Sequence, residues 1–581
     1  MERILRVDMT QRTATFKPVP KAYEHRAGRW LTSSIVHDEV PATCHPLGPS
    51  NKVVYSPGIV TGTAAPTSSR ISVGGKSPLT GGIKESNAGA GWSRRLARLG
   101  IRAIVIEGQP KQEGLWLLKV DAKGATFESA NSWAGKRLSE VYPALFARFG
   151  GRQKVDVCAI GAAGEYRMAA AGVCFNDQEG RPTRYAGRGG LGAVLGSKGL
   201  KAIVVDDSGA GDVPIADRAL FDQGRKKLAA ALGEHAITKP KGALNSYGTA
   251  VLVNILNEAG GLPTHNFREG RFDGAAKIAG EAIFAGNKER TGKELYNHAC
   301  SPGCVIRCSN TWHRPDGSEH TSCIEYESDW AFGANCGIDN LDQIAELNLL
   351  CNDFGLDTIE IGGTLAVAAE GGVWRFGDGA RAIELLHEIG KGTPLGRILG
   401  NGAVVTGRAF GVPRVPHVKG QNMPAYEPRA IKGIGMTYAL STMGADHTAG
   451  YTIAPEILGV SGKLDPLNPD KAELARNFQY ATAFVDSTGH CLFIAFAVLD
   501  IASGFEGTVE ECNGVLGTAW TMADVGRIGK EILDLERAFN HNAGFTAQDD
   551  RLPEFMTMEL LPPHNTVWDV PNLELDRVFS S

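Results

Sequence analysis

"RYAGRGGLGAVLGSKGLKAIVV" (184–205) sets five glycines within ten residues and then runs into an apolar, β-branched segment. The order of those two parts matters. A dinucleotide-binding fingerprint follows a strand and opens a helix. Here "DQEGRPTR" precedes the glycines and does not read as a strand, whereas a strand is expected after them. A Walker loop, G-x4-G-K-[ST], is absent. What remains is a run of backbone N–H groups with Arg184, Arg188 and Lys198 beside it, which suits an anion such as a phosphate. A second stretch, "SSRISVGGKSPLTGGIKESNAGAGW" (68–92), has the same texture. Two such segments in one region imply a large cofactor with more than one phosphate.

Outward from these loops, residues 1–210 read as short strands punctuated by glycine, as in "MERILRVDMTQRTATF", "KVVYSPGIVTG" and "RAIVIEGQP". Glycine supplies 73 of the 581 residues, against a usual share of roughly 7%. That excess calls for tight turns or close backbone approach to a ligand. From about residue 211 the periodicity becomes helical. "DVPIADRALFDQGRKKLAAAL" predicts a helix opening at "IADR" after Pro214, and "NLDQIAELNLLCNDFG" and "ADVGRIGKEILDLERAFN" predict two more. A proline- and glycine-rich break falls at 411–430. The fold class is therefore α+β and multidomain: a β-rich domain over 1–210, then two mainly helical domains over 211–417 and 418–581. No internal repeat is visible.

A hydrophobic fraction of 43% and a charged fraction of 21% describe an ordinary globular protein. The net charge of −4 gives no reason to expect nucleic acid. The N-terminus lacks a signal peptide's apolar core, and no apolar run approaches the roughly 18 residues that span a bilayer. The expectation is a cytoplasmic protein without membrane contact, whose cysteines stay reduced and serve as ligands or nucleophiles.

Three of the eleven cysteines fall within nine positions of "HACSPGCVIRCSN" (298–310). On a helix they would share one face as buried hydrophobes, but Pro302 and Gly303 argue against an uninterrupted helix. A zinc site would pair two close cysteines with a second pair, or add histidines. Three close thiolates with one remote thiolate is the habit of a cubane iron–sulfur cluster. Cys491, at the mouth of an apolar run in "FVDSTGHCLFIAF", is the remote candidate. Cys323, Cys336 and Cys351 compete with it, and spacing does not choose.

Taken in order, "SPGIVTGTAAPTSSR", "KSPLTGGIKESNAG", "AGRGGLGAVLGSKGLKAI", "YGTAVLVNILNEAGG", "EYESDWAFGANCGIDN", "FGLDTIEIGGTLA", "PAYEPRA", "APEILG" and "DSTGHCLF" resemble the tungsten-containing aldehyde:ferredoxin oxidoreductases over roughly residues 1–545. The resemblance implies a tungsten or molybdenum ion held by two pterin dithiolenes on the β-rich domain, with one [4Fe–4S] cluster beside it. Cys300, Cys304, Cys308 and Cys491 fall on the cluster positions, although the family's usual first spacing is Cys-x2-Cys and here it is Cys-x3-Cys. Arg70, Asn87, Arg184, Tyr185, Ala186, Gly187 and Arg188 fall on the pterin-phosphate segments. The backbone near Asn87 and Tyr185 would help hold a bridging Mg2+. Two D-x-x-G-L-[CD] motifs match "NDFGLD" (352–357) and "DSTGHC" (486–491), which gives Asn352, Asp357 and Asp486 as pterin contacts. Asn352 stands where aspartate is usual and His490 where leucine is usual.

Glu327 and His447 match the two ionisable residues that the family places beside the metal, as base and hydrogen-bond partner. The implied reaction is oxidation of an aldehyde to a carboxylic acid with water, electrons passing to ferredoxin or an iron–sulfur partner subunit. Family homodimers can share a metal through an E-x-x-H motif. That place reads "ELNL" here, Glu346–Leu349, so a homodimer would lack the bridge. Two alternatives stand beside this reading. The same family includes benzoyl-CoA-type ring reductases, which are expected to lack the Glu327 and His447 surroundings. A non-enzymatic iron–sulfur electron carrier would leave both glycine loops unexplained.

Overall fold

One strand pattern is used twice to build the N-terminal region. The computed structural model describes residues 3–579, so residues 1, 2, 580 and 581 of the expected domain ranges lie outside the described residues. A first six-stranded sheet holds β1 (Arg3–Asp8), β2 (Thr13–Pro18), β3 (Val53–Pro57), β4 (Arg70–Lys76), β5 (Ile83–Gly89) and β6 (Ile101–Glu107), in the order β2-β1-β6-β3-β4-β5. A second holds β7 (Trp116–Asp121), β8 (Gly124–Ser129), β9 (Val155–Ala159), β10 (Val173–Asn176), β11 (Pro182–Ala186) and β12 (Leu200–Asp206), in the order β8-β7-β12-β9-β10-β11. The orders are identical once each label is advanced by six. In each sheet the first and last strands pair in parallel, β1 with β6 and β7 with β12, and all other pairs are antiparallel. Helices α1 (Gly28–Glu39) and α2 (Gly91–Arg98) serve the first half. Helices α3 (Leu138–Arg148), the short α4 (Ala162–Glu165) and α5 (Leu191–Ser197) serve the second.

The expectation of no internal repeat is thereby corrected: the region is a structural duplication. What the halves share is burial alternation rather than residue identity. Ile101, Ile104 and Ile106 of β6 face a core common to both sheets, and Leu200, Ile203 and Val205 of β12 face the same core. The alternate residues Ala103 and Val105 pack with Leu31 and Ile35 of α1. Their counterparts Ala202 and Val204 pack with Leu138 and Val141 of α3. Each sheet is covered on both faces, so its central strands read as continuous apolar runs. The edge strands β5 and β11 meet each other, which brings the two glycine-rich segments together.

Beyond residue 210 the chain is mainly helical, and one continuous apolar core runs from Phe221 to Val578. Residues 211–417 and 418–579 therefore share that core. Helix α6 (Arg218–Glu234) begins three residues later than the expected "IADR" start, because the Asp217 carboxylate accepts the Leu220 N–H at 3.0 Å and fixes the cap there. Its partner is the helix Ala502–Leu516, against which a Cβ on Gly224 would lie 2.5 Å from the Gly507 carbonyl oxygen. Only glycine allows that approach. The other two expected helices appear as Leu341–Phe354, capped by Asn340, and Met522–Asn542, capped by Thr521. The 411–430 break contains only the short strands His417–Val418 and Gln421–Asn422. No helix among the described residues is long and apolar enough to cross a membrane.

A buried ion pair ties the duplicated region to the helical part. Arg29 of α1 donates to both carboxylate oxygens of Glu536 at 2.9 and 2.8 Å, and Ser33 and Thr442 donate to the same carboxylate. Removing one partner of such a pair strands the other charge, so Arg29→Met should lower the unfolding free energy by about 3–5 kcal/mol. Urea unfolding of the variant should show a reduced midpoint at unchanged slope. A midpoint equal to wild type would mean the pair does not join the two parts.

Candidate functional site

A cavity of about 410 Å3 lies where the paired edge strands face the helical part. Arg70, Asn87, Arg184, Tyr185, Gly187 and Arg188 line it from the sheet side. Glu327, Asn352, Asp357, His447, Asp486, Cys300, Cys308 and Cys491 line it from the helical side. Of the residues expected to act on substrate or to hold the pterin and the cluster, Ala186 and Cys304 are the two not on its wall. The Ala186 side chain is buried in the core between the sheets. Cys304 sits beneath the wall, 9% exposed.

The cysteines form a ring of electrostatic neighbours: Cys300 with Cys304, Cys304 with Cys308, Cys308 with Cys491, and Cys491 with Cys300. The hydrogen bond with Cys304 lowers Cys300 to about 5 against the pull of burial, and Arg184 and Arg70 help. One thiol is thus ready as a thiolate ligand. The longer Cys-x3-Cys spacing is absorbed by a turn in which the Cys304 N–H meets the Ser301 carbonyl and Gly303 takes a φ of 81°. Cys491 is held by its N–H on Thr67 O at 2.9 Å. Among the competitors, Cys336 and Cys351 are fully buried away from this wall. Cys323 also lines the cavity and is itself an electrostatic neighbour of Cys300, while its thiol donates to Glu325 at 3.3 Å.

The sheet side presents guanidinium groups. Arg184 donates to Ser309 Oγ at 2.6 Å, and Arg188 donates to the carbonyls of Ala445 and Asn422 and, at 3.4 Å, to Asp357. Arg70 is hydrogen-bonded to Asn87. The Tyr185 hydroxyl donates to the Asn352 carbonyl at 2.5 Å, joining β11 to the first motif. Asp486 accepts from Arg29 at 3.2 Å, and burial raises it to about 6. His490, the departure in the second motif, is buried against Glu511 with Nε2 2.8 Å from its carboxylate, and its Nδ1 lies 2.9 Å from Thr488 Oγ1. The polar ring in place of leucine is therefore met by an acid from the helix Ala502–Leu516.

His447 Nε2 lies 3.4 Å from Glu327 Oε1, and the Ala425 N–H donates to Glu327 Oε2 at 3.1 Å. Burial drives the pair in opposite directions, raising Glu327 to about 8 and lowering His447 to about 4. Both are thus neutral around pH 7. Beside them Asp446 is held below the usual carboxylate range: burial opposes this, but Lys84, whose Nζ is 3.1 Å away, and Arg188 outweigh it.

Three buried polar atoms on this wall have no hydrogen-bond partner: Glu327 Oε1, Asn352 Nδ2 and His447 Nδ1. Unpartnered buried polar atoms cost free energy unless a ligand meets them. With the guanidinium groups and thiols, this donor set fits a large anionic cofactor and a thiolate-held cluster. Asn352 keeps a free amide N–H toward the cavity despite replacing an aspartate.

Sequence reasoning did not single out Arg29, Lys84, Glu85 or Asp446, although Lys84 and Glu85 lie within the quoted "KSPLTGGIKESNAG". It also missed a row of aromatic rings. Centroids step from Phe493 to Phe496 (5.5 Å), Tyr451 (6.0 Å), Tyr426 (5.7 Å) and then His447 (5.7 Å). The acid of the "ELNL" segment also gains a histidine in space, since His320 Nε2 lies 2.8 Å from Glu346 Oε2.

A family model described as "Aldehyde ferredoxin oxidoreductase, N-terminal domain" matches residues 4–207, and one described as "Aldehyde ferredoxin oxidoreductase, domains 2 & 3" matches residues 224–579. The tungsten-containing aldehyde ferredoxin oxidoreductase of Pyrococcus furiosus is 37% identical over 96% of this chain and 92% of its own length. That of Thermococcus kodakarensis is 36% identical with the same coverage. A WOR-like subunit of an aliphatic sulfonate oxidoreductase from Pyrococcus furiosus is 25% identical over 91% of this chain and 84% of its own. Among solved structures, the active site complex BamBC of benzoyl coenzyme A reductase with 1,5-dienoyl-CoA aligns at a TM-score of 0.79, covering 99% of this chain and 92% of that one. At 18% identity that is a likeness of fold.

The thiol ring carries a direct expectation. Replacing Cys491 by Ser should remove most of the iron from protein purified without oxygen, whereas Cys323→Ser should leave iron at the wild-type level. Iron loss in the Cys323 variant alone would assign the fourth position to it.

Proposed function

The chain belongs to the aldehyde ferredoxin oxidoreductase family, and from that premise we propose that it oxidises aldehydes to carboxylic acids with water and hands the electrons to ferredoxin or an iron–sulfur partner subunit. The observation that carries this reading is that Glu327 and His447 stand side by side on the cavity wall, Oε1 to Nε2 3.4 Å. In this proposal the β-rich region 1–210 is the base for a tungsten or molybdenum bis-pterin, covered by the helical regions 211–417 and 418–581. Arg70, Asn87, Arg184, Tyr185, Ala186, Gly187, Arg188, Asn352, Asp357 and Asp486 would hold it, with Mg2+ between its phosphates near Asn87 and Tyr185. Cys300, Cys304, Cys308 and Cys491 would hold a [4Fe–4S] cluster. When bound, the metal centre supplies the two-electron acceptor and the cluster the one-electron relay.

Everything else falls to side chains. Conversion of RCHO and H2O to RCOO− releases two electrons and three protons, so proton handling is the protein's task. In this proposal a protonated Glu327 closes the 3.4 Å gap to His447 Nε2, a contact that is not a hydrogen bond as it stands, and leaves the imidazole N–H on Nδ1. That N–H has no protein partner and is placed to polarise an aldehyde oxygen. With its carboxyl ionised, Glu327 takes a proton from the water that adds to the carbonyl carbon. Its raised value makes it a stronger base than an exposed glutamate.

The approach to this pair is apolar. Ile237, Leu252, Ile255, Leu458, Leu492 and Phe493 line the outer wall, and the aromatic row leads inward from Phe493. Such a wall excludes bulk water and offers no counter-charge, which favours neutral aldehydes.

Because the carboxylate form grows as pH rises through about 8, kcat should increase toward alkaline pH and level off above that value. Glu327→Gln should abolish this limb and lower kcat at least about 100-fold while tungsten or molybdenum content is kept. His447→Ala should lower kcat comparably and retain the limb. An unchanged pH profile in Glu327→Gln would remove that residue from the proton path. Metal analysis of the same preparations, and benzaldehyde against benzoyl-CoA as substrates, test the reading as a whole.

A further inference from the structure

The cysteine segment has an outer face. Along 303–308 exposure alternates, with Gly303, Val305 and Arg307 exposed and Cys304 and Ile306 buried between them. The loop that carries Cys304 and Cys308 thus turns Gly303, Val305 and Arg307 to solvent. Val305 is 42% exposed and Tyr296, on the incoming strand of chain, 39%. These two are among the few large apolar side chains the surface shows.

Cations gather around them. Asn245, itself buried, binds three segments: its Oδ1 accepts the Lys241 N–H at 3.0 Å, and its Nδ2 donates to the carbonyls of Asn297 at 3.1 Å and Arg307 at 3.2 Å. The turn carrying Lys239 and Lys241, the segment carrying Lys293 and Tyr296, and the outer face of the cysteine loop are fixed to one another by this side chain. Lys241 Nζ stands 5.4 Å from the Tyr296 ring centroid. Lys239, Lys241, Lys293 and Arg307 are exposed, and none makes an ion pair among the described residues. Glu294 is the acid among them, and Lys288 binds it at 2.9 Å. In a chain of net charge −4, four unpaired cations over one loop are a concentration rather than an average.

We infer that this face, with Val305 and Tyr296 at its centre and Lys239, Lys241, Lys293 and Arg307 around them, is the docking surface for an acidic one-electron carrier protein. The inference rests on the proposed cluster for its purpose, because electron transfer falls steeply with distance and this face is the outer side of the cluster cysteines. The surface itself follows from charge and exposure. A cationic rim steers an oppositely charged partner and acts mainly on association rate and salt dependence. The small exposed apolar centre supplies contact once water is displaced.

The test uses the full-length protein and an acidic [4Fe–4S] ferredoxin as probe. Binding is measured by calorimetry at low and moderate salt, for wild type and for the double variant Lys239→Glu with Lys241→Glu. The expected result is wild-type binding that weakens with salt, and at least about tenfold weaker binding in the variant. Turnover with benzyl viologen, a small dye that needs no docking face, should be unchanged. Equal ferredoxin affinity in variant and wild type would overturn the proposal. So would a parallel fall in iron content or viologen turnover, which would make the lysines structural. A wild type that binds ferredoxin yet oxidises no aldehyde with either acceptor would keep the surface and sink the proposed reaction.

Discussion

Burying many charges around one cavity is the constraint from which the rest of this structure follows. Arg29, Lys84, Arg184 and Arg188 are all buried, as are Glu85, Asp357, Glu360, Asp446 and Glu536. Each such ion loses several kcal/mol of hydration and survives only with a partner close by. The partners come from distant chain segments: Arg29 of α1 meets Asp486 and Glu536, Lys84 of β5 meets Asp446, and Arg188 meets Asp357. The duplicated sheets and the helical cover are thus locked in one arrangement by electrostatic necessity. Arg70, and Arg184 with its Glu325 partner at 3.8 Å, form the positive wall that a phosphate-bearing cofactor would meet.

Duplication explains why the anion-binding texture occurs twice. Each half ends its fifth strand at the same edge, and these edges, β5 and β11, meet. A ligand with two similar anionic ends would see two similar walls. The halves have since diverged in side chains: Arg70 and Asn87 serve one, Arg184, Tyr185 and Arg188 the other. Backbone, turn and glycine were retained where identity was not.

That divergence also sets what the sequence could reveal. The two glycine loops, the three clustered cysteines and the helices over 341–354 and 522–542 were legible because each depends on local chemistry: backbone freedom, thiolate spacing, caps and periodicity. The repeat was not, although "GIRAIVIE" (100–107) and "GLKAIVVD" (199–206) carry it, because alternation on doubly buried strands leaves only a short apolar run. The start of α6 was misplaced because Asp217, not Pro214, satisfies the first free N–H groups. Spacing could not choose between Cys491 and Cys323, because the fold brings both thiols near Cys300 and near Glu325, and only Cys323 hydrogen-bonds to that acid.

The chemistry of the pair at the cavity shows the same dependence on distant parts. Glu327 and His447 lie far apart in sequence, and neither has an unusual local surrounding. Their opposite shifts have one cause, exclusion of water by the helical cover, since burial penalises a carboxylate and an imidazolium alike. A neutral acid beside a neutral base is what that cover produces. Asp446 stays ionised because Lys84 and Arg188 reach it from the duplicated sheets. An apolar entrance and the opposed shifts of Glu327 and His447 are then two results of one dry interior, and a charged ligand would have to leave its hydration behind with nothing along Ile255, Leu458 and Phe493 to replace it.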